Sequence, residues 1–309
     1  MGIGHSHDHA HQVDDELTGS AAGIRAVKIS LIGLAATAIL QLMIVALSGS
    51  VALFADTVHN FSDALTAVPL WIAFAVARRA ATRRYPYGLG RAEDLAGLFI
   101  VAVIAVSAVV AAVEAVHRLI EPAPLTHLGL VAAAGVVGFV GNELVAIYRI
   151  RVGTRIASAA LRADGLHARV DGLTSLAVVA GAGGVAAGFP AADPIVGLII
   201  AVVIVGVLAV AARDVFRRLL DGVEPKLIDT AREVLAHQDG VRSVRRVRMR
   251  WLGHRLVADA ELDIDPGQSL ADAHRIAHDA EHALTHAVPK LAEATIHAYP
   301  AHTAAPVSS

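Results

Sequence analysis

Two stretches of this sequence, SVALFADTVHNFSDAL at residues 50–65 and RADGLHARVDGLTSL at residues 162–176, carry the same pattern in apolar surroundings. In each, an aspartate follows a histidine four residues later: His59 with Asp63, and His167 with Asp171. On an α-helix this spacing places both side chains on one face. Ionisable residues inside a membrane-spanning helix are costly and usually mark a functional interior. The two stretches therefore predict a membrane protein with a polar site between two of its helices.

The composition indicates a chain that crosses a bilayer several times. It has 309 residues, of which 55% are hydrophobic and 17% charged, and its mean hydropathy is +0.59. That balance is too apolar for an ordinary soluble protein. A span needs about 20 apolar residues, and six segments reach that length. They are residues 27–47, 51–77, 95–116, 125–150, 158–188 and 194–212.

Basic residues near the ends of these segments predict the orientation. Arginine and lysine gather on one side of the bilayer, at 25–28, 78–91, 149–162 and 213–218, whereas the other side has little beyond Arg118. Short loops rich in arginine and lysine stay in the cytoplasm. Both termini are therefore expected there, and the chain is expected to lie in the lipid bilayer of a bacterial inner membrane.

Beyond residue 219 the pattern becomes that of a small soluble domain. Helical and strand periodicities follow one another in the order α-β-β-α-β, at residues 225–238, 241–251, 255–265, 269–288 and 293–300. This order predicts a two-layer α+β domain. The predicted organisation is a histidine-rich cytoplasmic tail (1–24), an all-α six-helix transmembrane domain (25–218), a small cytoplasmic α+β domain (219–300) and a disordered tail (301–309).

The four residues His59, Asp63, His167 and Asp171, called the quartet below, have the chemistry of a divalent metal site. The chain has no cysteine, so thiolate ligands are excluded. Two imidazoles and two carboxylates suit tetrahedral Zn²⁺. Metal displaces protons from such ligands, and histidine titrates near neutral pH, so the site can exchange a metal ion for protons. The alternative is that the two pairs only hydrogen-bond neighbouring helices, for which carboxylates are expensive.

Other polar residues of the predicted spans have two interpretations. Asp56 and Asp164 each stand three residues before a quartet histidine and serve either the entry path or contacts between helices. Three more are candidates for polar packing ahead of a direct role in metal binding: Glu114, Asn142 and Glu143.

Histidines also cluster outside the membrane. The N-terminal tract HSHDHAH at 5–11 either captures cytoplasmic metal or is a solvated tail. The helix predicted at 269–288 has histidines four residues apart that either chelate metal in pairs or line an amphipathic face. They are His274, His278, His282 and His286. His297 and Glu261, on predicted strands, are candidates to complete a cytoplasmic metal site with this helix.

The whole chain resembles the cation diffusion facilitators, which export Zn²⁺ and related ions in exchange for protons. The resemblance rests on the two opening stretches, on YPYGLGRAEDLAGL at residues 85–98 and on LLDGVEP at residues 219–225. It implies a transport site made of the quartet, with Zn²⁺ as substrate and Co²⁺ or Cd²⁺ tolerated. It also implies a homodimer, and a cytoplasmic domain with a metallochaperone-like fold that binds regulatory Zn²⁺.

Some positions depart from the family pattern. Leu89 and Tyr85 stand where relatives place a metal-binding histidine, so the resemblance predicts no metal site in the loop after the second span. In the cytoplasmic domain His274 and His297 match ligand positions, but Arg242 and Tyr299 replace ligands of some relatives. A single or weaker cytoplasmic site is therefore expected.

Two other classes of protein are less consistent with the sequence. A membrane zinc hydrolase would need a position open to water, and its usual HExxH motif is absent. A membrane-anchored metal sensor would not need ionisable residues inside two spans. The sequence therefore favours a transporter over an enzyme, with divalent metal ions and protons as partners, no resident cofactor and no nucleic acid.

Overall fold

The computed structural model describes residues 7–48, 67–120, 128–189 and 191–301. Four predicted functional residues lie outside these ranges: His5, Asp56, His59 and Asp63. The disordered tail predicted from residue 301 also lies outside them, apart from its first residue. The described chain divides into two compact units, one of residues 17–216 and one formed chiefly by the residues from 217 onward.

The first unit is helical throughout its regular structure. Its helices are α1 (His7–Ser48), α2 (Ala67–Ala77), α3 (Arg91–Ile120), α4 (Leu128–Arg155), α5 (Ala159–Ala186) and α6 (Ala192–Leu219). Four of them contain stretches long and apolar enough to cross a membrane, namely Thr18–Ile44, Arg91–Ile120, Leu128–Arg155 and Ala192–Leu219. The described part of the second predicted span is the shorter apolar helix α2. This architecture confirms the helical membrane fold.

Two helices differ from the prediction. α1 begins at His7, well before the predicted start at residue 27, because no glycine or proline interrupts the sequence between His7 and Thr18. The region predicted as a tail is thus largely helical. α5 has the length of a span, but its first half carries four charged residues, Arg162, Asp164, Arg169 and Asp171. α5 is therefore not one of the four long apolar helices, because these charged residues lie within it.

α5 starts abruptly after α4. The Ser158 side chain accepts a hydrogen bond from the Leu161 amide at 3.0 Å and so caps the first turn. Ala157, just before it, has a left-handed φ of 58°, which reverses the chain between the two helices. α4 and α5 are consequently neighbours along most of their length.

Glycines allow α4 and α5 to approach closely. A Cβ atom at Gly165 would lie 2.7 Å from Cγ1 of Ile150. At Gly153 it would lie 2.9 Å from the backbone nitrogen of Arg162, and at Gly135 2.9 Å from the carbonyl oxygen of Ser175. Real Cβ atoms do not come so near, so the absence of a side chain at these positions sets the spacing of the helix pair.

The second unit is the predicted α+β domain. Its elements are α7 (Pro225–Ala236), β1 (Val241–Leu252), β2 (Arg255–Ile264), α8 (Leu270–Ala287) and β3 (Leu291–Pro300). The sheet order is β1-β2-β3, with β1 antiparallel and β3 parallel to β2. Leu235 of α7, Leu284 of α8 and Leu256 and Leu262 of β2 are completely buried, because each helix lays one apolar face on the sheet. The structure thus confirms the predicted α-β-β-α-β order.

Candidate metal-transport site

The described half of the quartet lies together on α5. His167 is 1% exposed, and its Nδ1 lies 3.7 Å from Oδ1 of Asp171, whose side chain is 11% exposed. The separation is longer than a hydrogen bond, and the two groups occupy one helix face as the spacing predicts. An imidazole and a carboxylate with this placement are two of the four ligands that a tetrahedral Zn²⁺ site needs.

Hydroxyl groups of α5 bond to the backbone of Asp171, and an amide group of α1 lies near one of them. The Asp171 carbonyl oxygen accepts hydrogen bonds from Thr174 Oγ1 at 2.7 Å and from Ser175 Oγ at 3.1 Å. Buried Gln41 of α1 donates to the Ala134 carbonyl oxygen at 3.3 Å. A Cβ atom on Gly138 would lie 2.7 Å from both the Gln41 amide nitrogen and the Ser175 hydroxyl. Polar side chains of α1 and α5 therefore both lie against α4 at Gly138, where no side chain separates them from the helix backbone.

Sequence reasoning missed these hydroxyl and amide groups. Their types are ordinary for a helix, and only the packing of three helices shows that Gln41 of α1 lies near Ser175 of α5 at Gly138. A run of small and polar residues at i, i+3 and i+4 around a candidate ligand is the signal that could have found Thr174 and Ser175.

Two ion pairs join α4 to α5 and correct one sequence-based interpretation. The arginine-rich stretch that starts at Arg149 predicts a cytoplasmic loop, but Arg149 lies inside α4 and is 1% exposed. Its Nη1 is 3.1 Å from Oδ2 of Asp164. The second pair is bidentate, with Arg169 Nε and Nη2 at 3.1 and 2.7 Å from the Glu143 carboxylate oxygens. Asp164 and Glu143 therefore both make contacts between helices.

The other polar candidates of the spans pack with their own neighbours. Asn142 is buried and donates to the Gly138 carbonyl oxygen at 3.1 Å. Glu114 accepts from Arg118 at 2.8 Å, and Arg118 also reaches Asp193 of α6 at 3.1 Å. Arg118 and Asp193 line a cavity of about 130 Å³ whose wall includes Thr174, one turn beyond Asp171. An ion pair between α3 and α6 thus shares a cavity with the middle of α5.

The candidates of the second unit are less concentrated. Glu261 and His297 are register partners on β2 and β3, but the Glu261 carboxylate is paired with Arg246. His278 Nδ1 lies 3.7 Å from Oε2 of Glu281, and His274 is exposed on α8. Within the described residues no group of three or more potential ligands comes together. The rings of His282 and His286 stack with centroids 4.3 Å apart.

Arg242 and Tyr299, the two departures from the family pattern in the cytoplasmic domain, have structural partners of their own. The backbone amide of Gly267 donates a hydrogen bond to the exposed Asp265 carboxylate and lowers its pKa. Arg242 also donates to this carboxylate and lowers the pKa to a smaller extent. The Tyr299 ring lies under the Arg245 guanidinium at 4.7 Å. Both residues thus contribute to the polar surface of the sheet.

The comparison with known families agrees with both units. Residues 27–220 match the family described as "Cation efflux transmembrane domain", and residues 223–301 match "Cation efflux protein, cytoplasmic domain". The chain belongs to the cation efflux family. It is accordingly an integral membrane protein of a family of cation transporters, which are not enzymes.

Relatives of this cation efflux chain span nearly its whole length. A probable cation efflux system protein of Mycobacterium tuberculosis is 67% identical over 297 residues, which are 96% of this chain and 90% of the relative. Metal tolerance protein 2 of Oryza sativa subsp. japonica is 27% identical over 96% of this chain and 82% of its own length. Magnetosome protein MamB of Paramagnetospirillum magneticum is 25% identical over 84% and 88%.

Among solved structures, the chain is similar to the MamM CTD. A nickel form of that domain is 20% identical, covers 26% of this chain and 100% of its own, and has a TM-score of 0.25. A cadmium form is 20% identical over 25% of this chain and 98% of its own, also with a TM-score of 0.25.

Proposed function

We propose that this chain exports Zn²⁺ from the cytoplasm in exchange for protons, and that the quartet binds the ion during transport. The observation that carries the proposal is the buried His167 with its Nδ1 3.7 Å from the Asp171 carboxylate, in a helix of a cation efflux family member. His59 and Asp63 repeat the same spacing in the sequence. They would supply the remaining two ligands from the second span.

The ligand set explains both the choice of ion and the coupling. Two aspartates neutralise the charge of a divalent ion in a membrane interior, and two neutral imidazoles complete a tetrahedron that Zn²⁺ accepts, with Co²⁺ and Cd²⁺ as further substrates. When the ion leaves, His59 and His167 can take up protons. One site therefore carries metal in one direction and protons in the other.

The match of residues 223–301 to a cytoplasmic domain supports one direction for α5. α6 leads into that domain, so it runs towards the cytoplasm, and α5 before it runs away from the cytoplasm. The Ala159 end of α5 would then face the cytoplasm and Thr174 would lie beyond the quartet. Alternating access around a site near the bilayer midplane would connect the two sides. We place the protein in a bacterial inner membrane with both termini inside.

The C-terminal unit would serve dimerisation and regulation. We infer that the protein works as a homodimer and that metal binding to the cytoplasmic domains strengthens their association. His274, His297, Glu261 and His278 are the candidate ligands. Because no three of them come together among the described residues, such a site would need a rearrangement within the domain or a second copy of the chain.

Proton flux tests the proposed transport. In proteoliposomes with a trapped pH-sensitive dye, adding Zn²⁺ on one side should move protons towards that side, and Co²⁺ or Cd²⁺ should do so more weakly. Mn²⁺ and Fe²⁺ serve as comparison ions. A sensor or a scaffold would produce no flux. Zn²⁺ uptake without any accompanying proton movement would contradict the exchange mechanism.

The cytoplasmic site can be tested apart from transport. Replacing both His274 and His297 with alanine should lower the Zn²⁺-dependent increase in dimer fraction, measured by light scattering, and leave Zn²⁺ transport at saturating concentration within about threefold. Replacing His282 and His286, which stack on the same helix, is the matched control and should change neither. An unaltered dimer response in the first variant would exclude His274 and His297 as ligands.

A further inference from the structure

The face of α5 that carries His167 and Asp171 has a third ionisable group. Asp164 comes three residues before His167 and seven before Asp171, so all three lie on one side of the helix. Asp164 is 0% exposed and His167 is 1% exposed. In the orientation proposed above, Asp164 stands one helical turn from the quartet towards the cytoplasm.

Asp164 is paired with Arg149, but the pair is incompletely bonded. One contact joins them, Arg149 Nη1 to Asp164 Oδ2 at 3.1 Å. In the part of the chain that the structure describes, Nε and Nη2 of Arg149 and both carboxylate oxygens of Asp164 have no hydrogen-bond partner, although all are buried. Buried polar atoms are nearly always bonded, and each exception calls for an explanation such as an ion or a water.

The Arg169–Glu143 ion pair, which joins the same two helices, has the geometry expected of a structural contact. Arg169 and Glu143 form a two-bond fork at 3.1 and 2.7 Å, and their side chains are 35% and 28% exposed. The fork is the usual arrangement where an arginine ties two elements together. The Arg149–Asp164 pair has the opposite properties, since it is fully buried and has a single contact. A buried pair of this kind contributes little to stability, so its presence on the ligand face points to another role.

We propose that Asp164 is a relay carboxylate, which binds the divalent ion between the cytoplasm and the quartet, and that Arg149 is its resting countercharge. The inference rests on the proposed export function. A bare carboxylate at this depth would hold a divalent ion too long, and a bare guanidinium would repel it. Exchange of Arg149 for the incoming ion keeps a cationic partner beside the Asp164 carboxylate at every step, and the displaced guanidinium repels the ion and so favours its onward movement. The two carboxylate oxygens of Asp164, neither of which has a hydrogen-bond partner among the described residues, are the atoms available to an incoming ion.

The test separates a relay from a structural contact. Zn²⁺ transport is measured in proteoliposomes for Asp164→Asn and for the double variant Arg149→Met with Asp164→Asn, and Zn²⁺ affinity and thermal unfolding are measured on the same full-length proteins. A relay predicts at least tenfold slower transport in both variants, with the Zn²⁺ dissociation constant of the quartet within threefold of wild type. The matched control, Arg169→Gln with Glu143→Gln, should transport within threefold of wild type.

Each other outcome overturns the relay. If the pair only holds the helices, removing both charges should be tolerated, and the double variant should transport like wild type. A double variant that no longer folds would also assign the pair a structural role. Failure of the export function is distinguishable, because the wild-type protein itself would then show no Zn²⁺ transport.

Discussion

Replacing Asp171 with alanine should reduce Zn²⁺ transport by about 30-fold or more. Removing one partner of a buried charged contact costs about 2–5 kcal/mol, and each 1.4 kcal/mol is about a factor of ten. The Asp171 carboxylate is 11% exposed and stands 3.7 Å from Nδ1 of His167. In the proposed quartet, its loss would remove one ligand and half of the negative charge that balances the ion. The rate is measured in proteoliposomes with a trapped Zn²⁺ indicator.

The same variant should remain folded. The hydroxyls of Thr174 and Ser175 bond to the main-chain carbonyl of Asp171, not to its carboxylate, so alanine keeps both hydrogen bonds. Its unfolding temperature and oligomer size should therefore match those of wild type. Glu114→Gln is the control, since that carboxylate also lies in a predicted span but is 54% exposed, and it should transport normally. A wild-type rate for Asp171→Ala would refute the quartet as the transport site.

Sequence reasoning worked where the determining interactions are local. The placement of His167 and Asp171 on one face depends only on helical spacing, and the structure reproduces it. The order of helices and strands after residue 219 follows from periodicity and was confirmed with boundaries shifted by two residues or fewer. The start of α1 at His7 was missed because hydropathy detects the apolar part of a helix, whereas the helix itself continues into polar sequence.

Sequence reasoning did not predict contacts between side chains that are distant in the sequence. Arg149 stands in an arginine-rich stretch, which predicts a loop, yet it is buried because Asp164 of the next helix lies opposite. The same limit applies to Gln41 and Ser175, which come together over Gly138. Nothing in the spacing of one helix shows which residues of another will face it. The glycines of α4 and α5 are the sequence feature that makes these approaches possible.

The close packing of α4 and α5 leads to the second large effect. Gly165→Leu should destabilise the protein by about 3 kcal/mol or more, at or above the upper end of the range for overpacking a tight interior. A Cβ atom there would lie 2.7 Å from Cγ1 of Ile150 and 3.0 Å from both the Ile150 backbone nitrogen and the Arg149 Cβ. Because one of these atoms belongs to the backbone of α4, the helices must move apart. Thermal unfolding in detergent, followed by loss of helical signal, measures the change.

Gly183→Leu provides the matched control in the same helix. A Cβ atom at Gly183 would meet nothing within 4 Å, and leucine favours helix over glycine by somewhat under about 1 kcal/mol. This variant should therefore be as stable as wild type or slightly more stable. Asp164 lies on α5 one residue before Gly165, so separation of α4 from α5 would also displace Arg149 from Asp164. Gly165→Leu should therefore slow transport even at temperatures where it stays folded. Equal stability of the two variants would show that the bare glycine surface does not set the spacing of these helices.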